Sequence, residues 1–468
     1  MCITMPSDDP DGTPETDEAG LTQKPLVQTR RPSGMKGFTI IWIGQLVSLL
    51  GTGMTQFGLT IWAWQITGEA TALALVAFFT AVPQILTSPL AGAIVDRLDR
   101  KHVMMLSDLA AGLATAAILL LYTSGRLQVW HLYAAGAFTG AFQAFQFPAY
   151  SAAVSTMLPK EQYGRASGMI SLAEAASGII APIAAGIALG IVGIGGIMAF
   201  DILTFIVAIG ALLVIYIPQP EITGAEAGSR GSIWEDSVYG FRYIFERPSL
   251  VGLLAVFLSL NFIMSFSFTL FAPMILARTG DNTIVLGSVQ SSFGVGGILG
   301  GLLMSAWGGP KRRIHAVLIG CALISLSTSF FGLGRSLATW ALTAAVITII
   351  APILNGSSQA IWQTKVPPQV QGRVFATRSL MARLAQPLGM AVTGPLADWI
   401  FEPAMMPGGG LAPLFGWLVG TGPGAGMALV FVFMGVIGTL PCLVGYAFNA
   451  VRNIEDILPD HDSPQERA

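Results

Sequence analysis

The 468-residue chain is short of charge. Asp, Glu, Lys and Arg together make up 11% of it, where soluble domains carry about a quarter. Cysteine is scarce as well. Cys2, Cys321 and Cys442 are scattered and odd in number, which gives neither a disulfide framework nor a metal-ligand spacing. The four histidines, His102, His131, His315 and His461, fall in loops, span ends or a tail, and no HExxH motif occurs. A GxxxxGK[ST] phosphate loop is missing too, so the chain is not expected to hydrolyse ATP. A membrane-embedded enzyme would need a nucleophile–base pair or metal ligands at one depth, and none is visible. These absences argue against an enzyme and against a bound cofactor or metal. The net charge of −2 carries little information by itself, and no nucleic-acid partner is expected.

Hydrophobic residues are abundant, at 53%. They form runs of the roughly 20 residues needed to cross a bilayer. Inside hydrocarbon every backbone group must be satisfied within the segment, so such runs are helices. Twelve spans are expected, at about 38–63, 71–95, 103–124, 128–156, 166–191, 194–217, 250–276, 284–307, 314–334, 337–364, 374–401 and 424–450. The stretch 166–217 is one long apolar run, and Gly190, Gly193, Gly195 and Gly196 mark its division. The fold class is therefore an all-α polytopic membrane protein, with a lipid bilayer as its solvent.

Lys and Arg set the orientation. With the N-terminus inside, Arg97, Arg100, Lys101, Lys160, Arg165, Lys311, Arg312, Arg313, Lys365 and Arg373 all fall in inner loops, and Arg378 and Arg383 follow in the first turns of the eleventh span. Outer loops hold only Arg126, Arg278 and Arg335. Both termini are then cytoplasmic and the membrane is the plasma (inner) membrane. Residues 1–36 are polar and read as a disordered tail. The expected organisation is a six-helix bundle over 37–217, a linker over 218–249, a second bundle over 250–450 and a tail over 451–468. Within the linker, Ile233, Val238, Phe241, Ile244 and Phe245 share one face, which suits a helix lying in the cytoplasmic interface.

The halves look alike. Leu158-Pro159 followed by Gly164-Arg165 recurs as Val366-Pro367 followed by Gly372-Arg373, at an offset of 208. Leu90-Ala91-Gly92 is answered by Leu299-Gly300-Gly301. Two matched, pseudo-symmetric six-helix bundles are the mark of a secondary transporter with parallel repeats, its substrate site lying between them.

The densest cluster of charge lies in the turn after the second span, Gly92-Ala93-Ile94-Val95-Asp96-Arg97-Leu98-Asp99-Arg100-Lys101. It resembles the helix 2–3 signature of the major facilitator superfamily. Gly92 allows close helix contact, and Asp96 can face the positive N-terminus of another helix, for which the eleventh span is the expected neighbour. Arg97 and Arg100 can pair with carboxylates such as Glu161 or Asp108, so that Gly92, Asp96, Arg97, Arg100, Lys101 and Asp108 would form an inner gate. The second half keeps Lys311-Arg312-Arg313 but has Ser305 where Asp96 stands, so this network is one-sided.

On the fifth span, Gly168, Ser177, Ala181, Pro182, Ala185 and Gly186 match the spacing of the antiporter motif of exporters, with small residues replacing three of its glycines. The fourth span, from Leu132 to Ser155, has no Lys or Arg, unlike the two larger drug-export branches. It carries instead the stretch GAFQAFQFPAY (140–150), followed by LPKEQYGRASG (158–168), and together with Thr393-Gly-Pro-Leu-Ala-Asp398 these resemble the branch containing macrolide efflux pumps and siderophore exporters. The absent basic residue leaves protons and sodium both open as the coupling ion.

Ionisable residues inside spans are expensive, and each is a functional candidate. Glu174 is the first choice for proton coupling. Arg383 corresponds through the repeat to Ala175, beside Glu174. The two can pair across the cavity, Arg383 can hold an anionic substrate, or the pair can be purely structural. Asp201 reads as structural, and Asp398, at the end of the eleventh span, as facing water. Gln56, Gln143, Gln146, Asn261, Gln290, Asn355, Gln359 and Gln386 are candidates to line the cavity, each also able to serve as an interhelical hydrogen bond. Trp62, Trp64, Trp130 and Trp340 read as interfacial belt residues, with bordering the substrate route as the alternative for Trp62 and Trp64. The expected function is secondary active export of an amphipathic small molecule by a monomer that uses a proton or sodium gradient, with import by the same fold as the alternative. The outer segment 402–423 is either a cover over the outer vestibule or a loose connection.

Overall fold

The computed structural model describes residues 34–95, 98–159, 162–217 and 233–459, and among these there is no strand. Six long helices come first: α1 (Gly34–Thr67), α2 (Ala70–Val95), α3 (Arg100–Thr123), α4 (Val129–Met157), α5 (Tyr163–Ile191) and α6 (Gly193–Val214). A short helix α7 (Ile233–Phe245) precedes α8 (Pro248–Thr279), α9 (Thr283–Trp307), α10 (Arg313–Leu333), α11 (Leu337–Lys365) and α12 (Pro368–Leu396). The chain then passes through a π-helical turn (Ala397–Phe401), α13 (Glu402–Met405) and α14 (Ala412–Val419) to α15 (Ala425–Ala447), and ends in two single turns. Among the described residues, ten helices are long and apolar enough to cross a membrane. The helices α4 and α12, each 29 residues long, are not among those ten.

The sequence signals that start and stop these helices are local. Gly193 has φ +65°, and the reversal between α5 and α6 is made there, with only Val192 between the two helices. The prolines Pro248 and Pro368 open α8 and α12, where a missing N–H costs nothing. Asp99 caps α3 by accepting from the Lys101 N–H at 2.8 Å, and Asn282 caps α9 through the N–H groups of Ile284 and Val285. The helix expected in the linker is α7. It packs against α12 and α8, burying Ile244 and Tyr243, with the Arg247 guanidinium 3.7 Å above the Tyr243 ring. Phe245 departs from the expected apolar face and is exposed. Ile233 and Val238 have side chains outside the described set.

Packing is uneven along the bundle. At the end that holds the C-terminus of α1 and the N-terminus of α2, one hydrophobic core runs across both halves, joining Phe57, Ile61, Trp64 and Leu73 to Phe266, Leu270, Met274 and Leu286. Toward the opposite end the core divides. Phe38, Met104, Ala149 and Leu212 form one cluster in the first half, and Leu250, Leu318, Trp362 and Val374 form another in the second. Contact between the halves is carried mainly by α5 on α9 and α2 on α12.

The segment after α12 is not loose. Glu402 accepts from the N–H groups of Gly424 (3.1 Å) and Met427 (2.8 Å), so it caps α15, and Gly422 donates to the Met405 carbonyl. The Arg278 guanidinium donates to the carbonyls of Gly334 (2.8 Å) and Val419 (2.5 Å). The segment is thus tied to its own half.

Candidate functional site

Helix α5 uses its small residues on two sides, against α1 and against α9. Ser177 donates to the Leu49 carbonyl of α1 at 2.9 Å, and Ala181 lies opposite Gly53, where an added Cβ would come within 2.8 Å. On the other side, an added Cβ at Gly287 of α9 would stand 2.7 Å from the Pro182 carbonyl oxygen, and Thr283 donates to the Gly186 carbonyl. Ser291 donates to the Ile179 carbonyl at 2.6 Å. Small side chains let the two backbones approach and bond. Gly168 has open space beside it and takes no part in the crossing, and Ala185 is buried in the shared core.

The crossing of α2 and α12 carries a feature that the sequence reading missed. Asp398 does not face water. Its carboxylate accepts from the N–H groups of Ala70 (3.0 Å) and Thr71 (2.7 Å) and from the Thr71 hydroxyl (2.5 Å), the unpaired first-turn donors of α2. A carboxylate from the second half thus caps a helix of the first. Nearby, the Trp64 indole donates to Asp281 at 2.9 Å. Trp64 and Trp340 are buried, so neither is a belt residue, whereas Trp130 is exposed. Every hydrogen bond between the halves among the described residues lies in this joined end.

Away from that end the polar residues gather within each half. In the first, Asp108 of α3 is 5% exposed and accepts from Gln45 of α1 and Gln146 of α4, both at 3.0 Å. The Gln146 Nε2 also reaches Gln45 Oε1 at 3.2 Å, while Gln146 Oε1 is buried without a partner. Asp108 therefore belongs to an amide cage inside the half, and among the described residues it makes no ion pair. Arg100 instead donates to the Ala152 carbonyl at 2.7 Å, and Lys101 donates to the Leu213 and Ile215 carbonyls at the C-terminus of α6, a favourable site for a cation. Gly92 lies in α2, while Asp96, Arg97 and Glu161 fall outside the described residues. Asp201 is 1% exposed and receives hydroxyl bonds from Thr52 (3.4 Å), Thr115 (3.2 Å) and Thr204 (3.5 Å), which ties α6 to α1 and α3.

In the second half a cavity of about 370 Å³ opens between α8, α11 and α12. It gathers three of the expected cavity residues, Asn261, Asn355 and Gln359, around a cation that was expected only to set topology, Arg378. The guanidinium donates to Gln359 Oε1 (2.9 Å) and Ser358 Oγ (3.1 Å) and lies 5.0 Å from the Trp362 ring and 5.8 Å from that of Phe257. Asn355, Gln359 and Trp362 recur at helical spacing on α11, a signal that could have found this wall.

The remaining expectations are not brought together. Glu174 and Arg383 are both exposed, and among the described residues no ion pair or hydrogen bond joins them. Gln56 is exposed on α1, and Gln143, Gln290 and Gln386 are half-buried, none of them lining the Arg378 cavity.

A family model described as Major Facilitator Superfamily matches residues 41–390. The chain is 25% identical over 365 residues to macrolide efflux protein A of Streptococcus pyogenes, an alignment covering 78% of this chain and 90% of that protein. It is 30% identical over 373 residues to the multidrug efflux pump Tap of Mycolicibacterium fortuitum, covering 77% and 88%. In fold it is similar to a bacterial homologue of the human lysosomal transporter Spinster, solved in an inward-facing, unoccupied conformation. The TM-score is 0.66 at 16% identity, covering 92% of this chain and all of that one.

Proposed function

The chain belongs to the major facilitator superfamily, and on that premise we propose that it is a secondary active exporter of amphipathic small molecules, working by alternating access between two pseudo-symmetric six-helix halves. The cargo class is a drug, a macrolide-like compound, a siderophore or another secondary metabolite. The observation that carries the reading is the divided core, continuous across the halves at one end and separate at the other. In this reading α4 and α12 complete twelve spans, both termini are cytoplasmic, and the joined end is outside. The conformation is then inward-facing, ready to load cargo from the cytoplasm. The efflux proteins among its relatives and the close α5–α9 crossing support export over uptake.

Switching follows from two carboxylates on opposite ends of the same helix pair. Asp398, ending α12, caps the start of α2 outside. Asp96, following α2, is placed by sequence to cap the start of α12 inside. Only one cap can be made at a time if the halves rock about the cavity, so each holds one state. Gly92, Arg97, Arg100 and Lys101 complete the inner latch. For coupling we assign proton exchange to Glu174 and Asp108. The amide cage suits an ionised Asp108. On protonation a turned Gln146 amide would give the new O–H its unpartnered Oε1. To Arg383 we assign the role of answering Glu174 when the halves close inside.

Inside-out membrane vesicles offered a panel of labelled amphipaths, the cations erythromycin and ethidium and the anion 1-naphthylacetate, and energised by respiration test the reading. Accumulation that collapses with a protonophore is expected. Loss of preloaded compound on energisation would indicate uptake into the cell instead.

A further inference from the structure

We propose that the cavity around Arg378 is the head-group subsite of the cargo, and that it takes an organic anion: an aromatic or otherwise flat apolar molecule carrying a carboxylate or similar oxyanion. The word cargo rests on the export reading above, but the chemistry rests on the cavity.

Guanidinium carries five N–H donors and stays charged. Two of those donors are taken by the neutral acceptors Gln359 and Ser358. Among the described residues, the ion pairs are His102–Asp99, Arg242–Glu246 and Arg312–Asp456, so no carboxylate neutralises Arg378. The same wall holds a second unmet donor. Trp362 is fully buried and its indole N–H has no acceptor among the described residues. The guanidinium is thus an uncompensated charge on this cavity, and such a charge within a membrane span is costly until something pairs with it. A carboxylate meets that need, since a guanidinium binds it through two parallel bonds. The rings of Phe257, Trp362 and Phe375 line the cavity and supply a face for the apolar part of the ligand. At about 370 Å³ the space holds a head group and one or two rings. This narrows the cargo away from neutral and cationic compounds, and it places selection on α11 and α12.

The test uses the full chain in lipid nanodiscs and a matched pair of probes, 1-naphthylacetate and its neutral amide, with binding read by calorimetry. The anion is expected to bind about tenfold or more tightly than the amide, in line with a charge-assisted pair. Arg378→Gln should erase that preference, and Arg378→Lys should keep part of it. Monodispersity and melting temperature are checked for each variant, and the lysine variant carries the comparison if the glutamine variant does not fold. Equal affinity for the two probes, no binding of either at millimolar concentration, or a preference untouched by both substitutions would overturn the proposal. If the preference holds while energised vesicles accumulate nothing, the export reading fails and the anion subsite stands. Accumulation with no preference removes the subsite alone.

Discussion

Replacing Asp398 by Ala removes three hydrogen bonds that cross between the halves, two of them to the bare N–H groups of α2. Loss of an N-terminal capping side chain costs about 0.5–2 kcal/mol. The negative charge at the positive end of a helix adds about 0.3–1 kcal/mol, more where partly buried. A total of about 2 kcal/mol, lost only in the state closed at this end, shifts the ratio of closed to open by about thirtyfold, since every 1.4 kcal/mol is tenfold. Asp398→Asn keeps one acceptor but drops the charge, and should shift the ratio by less than tenfold. Spin labels at Ser124 and Leu337, exposed at the two rims, would report the opening as a longer distance component in double electron–electron resonance. A distance distribution identical in wild type and Asp398→Ala would refute the capping argument, because the bonds would then contribute equally to both states.

Other outcomes follow from the same geometry. Gly287→Ala puts a Cβ 2.7 Å from the backbone oxygen of Pro182, which cannot move aside cheaply, so the same label pair should again report opening, while Gly301→Ala, with nothing within 4 Å, should not. Glu174→Gln should abolish gradient-driven export while leaving folding and ligand binding intact, and unchanged transport would remove Glu174 from the mechanism. Burial raises the pKa of Glu402, outside the spans, against the lowering effect of the N–H groups of Met427 and Gly424. Because the folded value lies above the unfolded one, the stabilising contribution is present in acid and is lost as pH rises through the folded value. The melting temperature of Glu402→Gln should therefore gain on wild type with rising pH, and a difference constant with pH would contradict this.

The helices were legible because length and apolarity are properties of one segment, and the break at Gly193 announced itself as a cluster of glycines. The site was legible only in part, because depth in a span can be counted from sequence while the face and the neighbour cannot. Arg383 stood out because the repeat sets it level with Glu174, while Arg378 entered only as a topology charge. Five residues along a helix turn a side chain by about 140°, and the cavity lies on the face of Arg378, Ser379 and Ala382. Asp398 was read as facing water because it ends a helix, yet the start of α2 lies against it. Asp108 was assigned to the loop charges by proximity in sequence, and it points instead into its own half, where Gln45 and Gln146 meet it from two other helices. Partners brought together from separate helices leave no trace in a single chain.

The central claim is antiport through an alternating cavity. Purified protein in proteoliposomes, with an internal pH dye and a fluorescent amphipathic substrate followed together, measures it directly. An imposed proton gradient should drive the substrate against the direction of proton flow, and a substrate gradient alone should move protons the opposite way. Substrate moving with the protons, or moving with no change in internal pH under any gradient, would contradict the account.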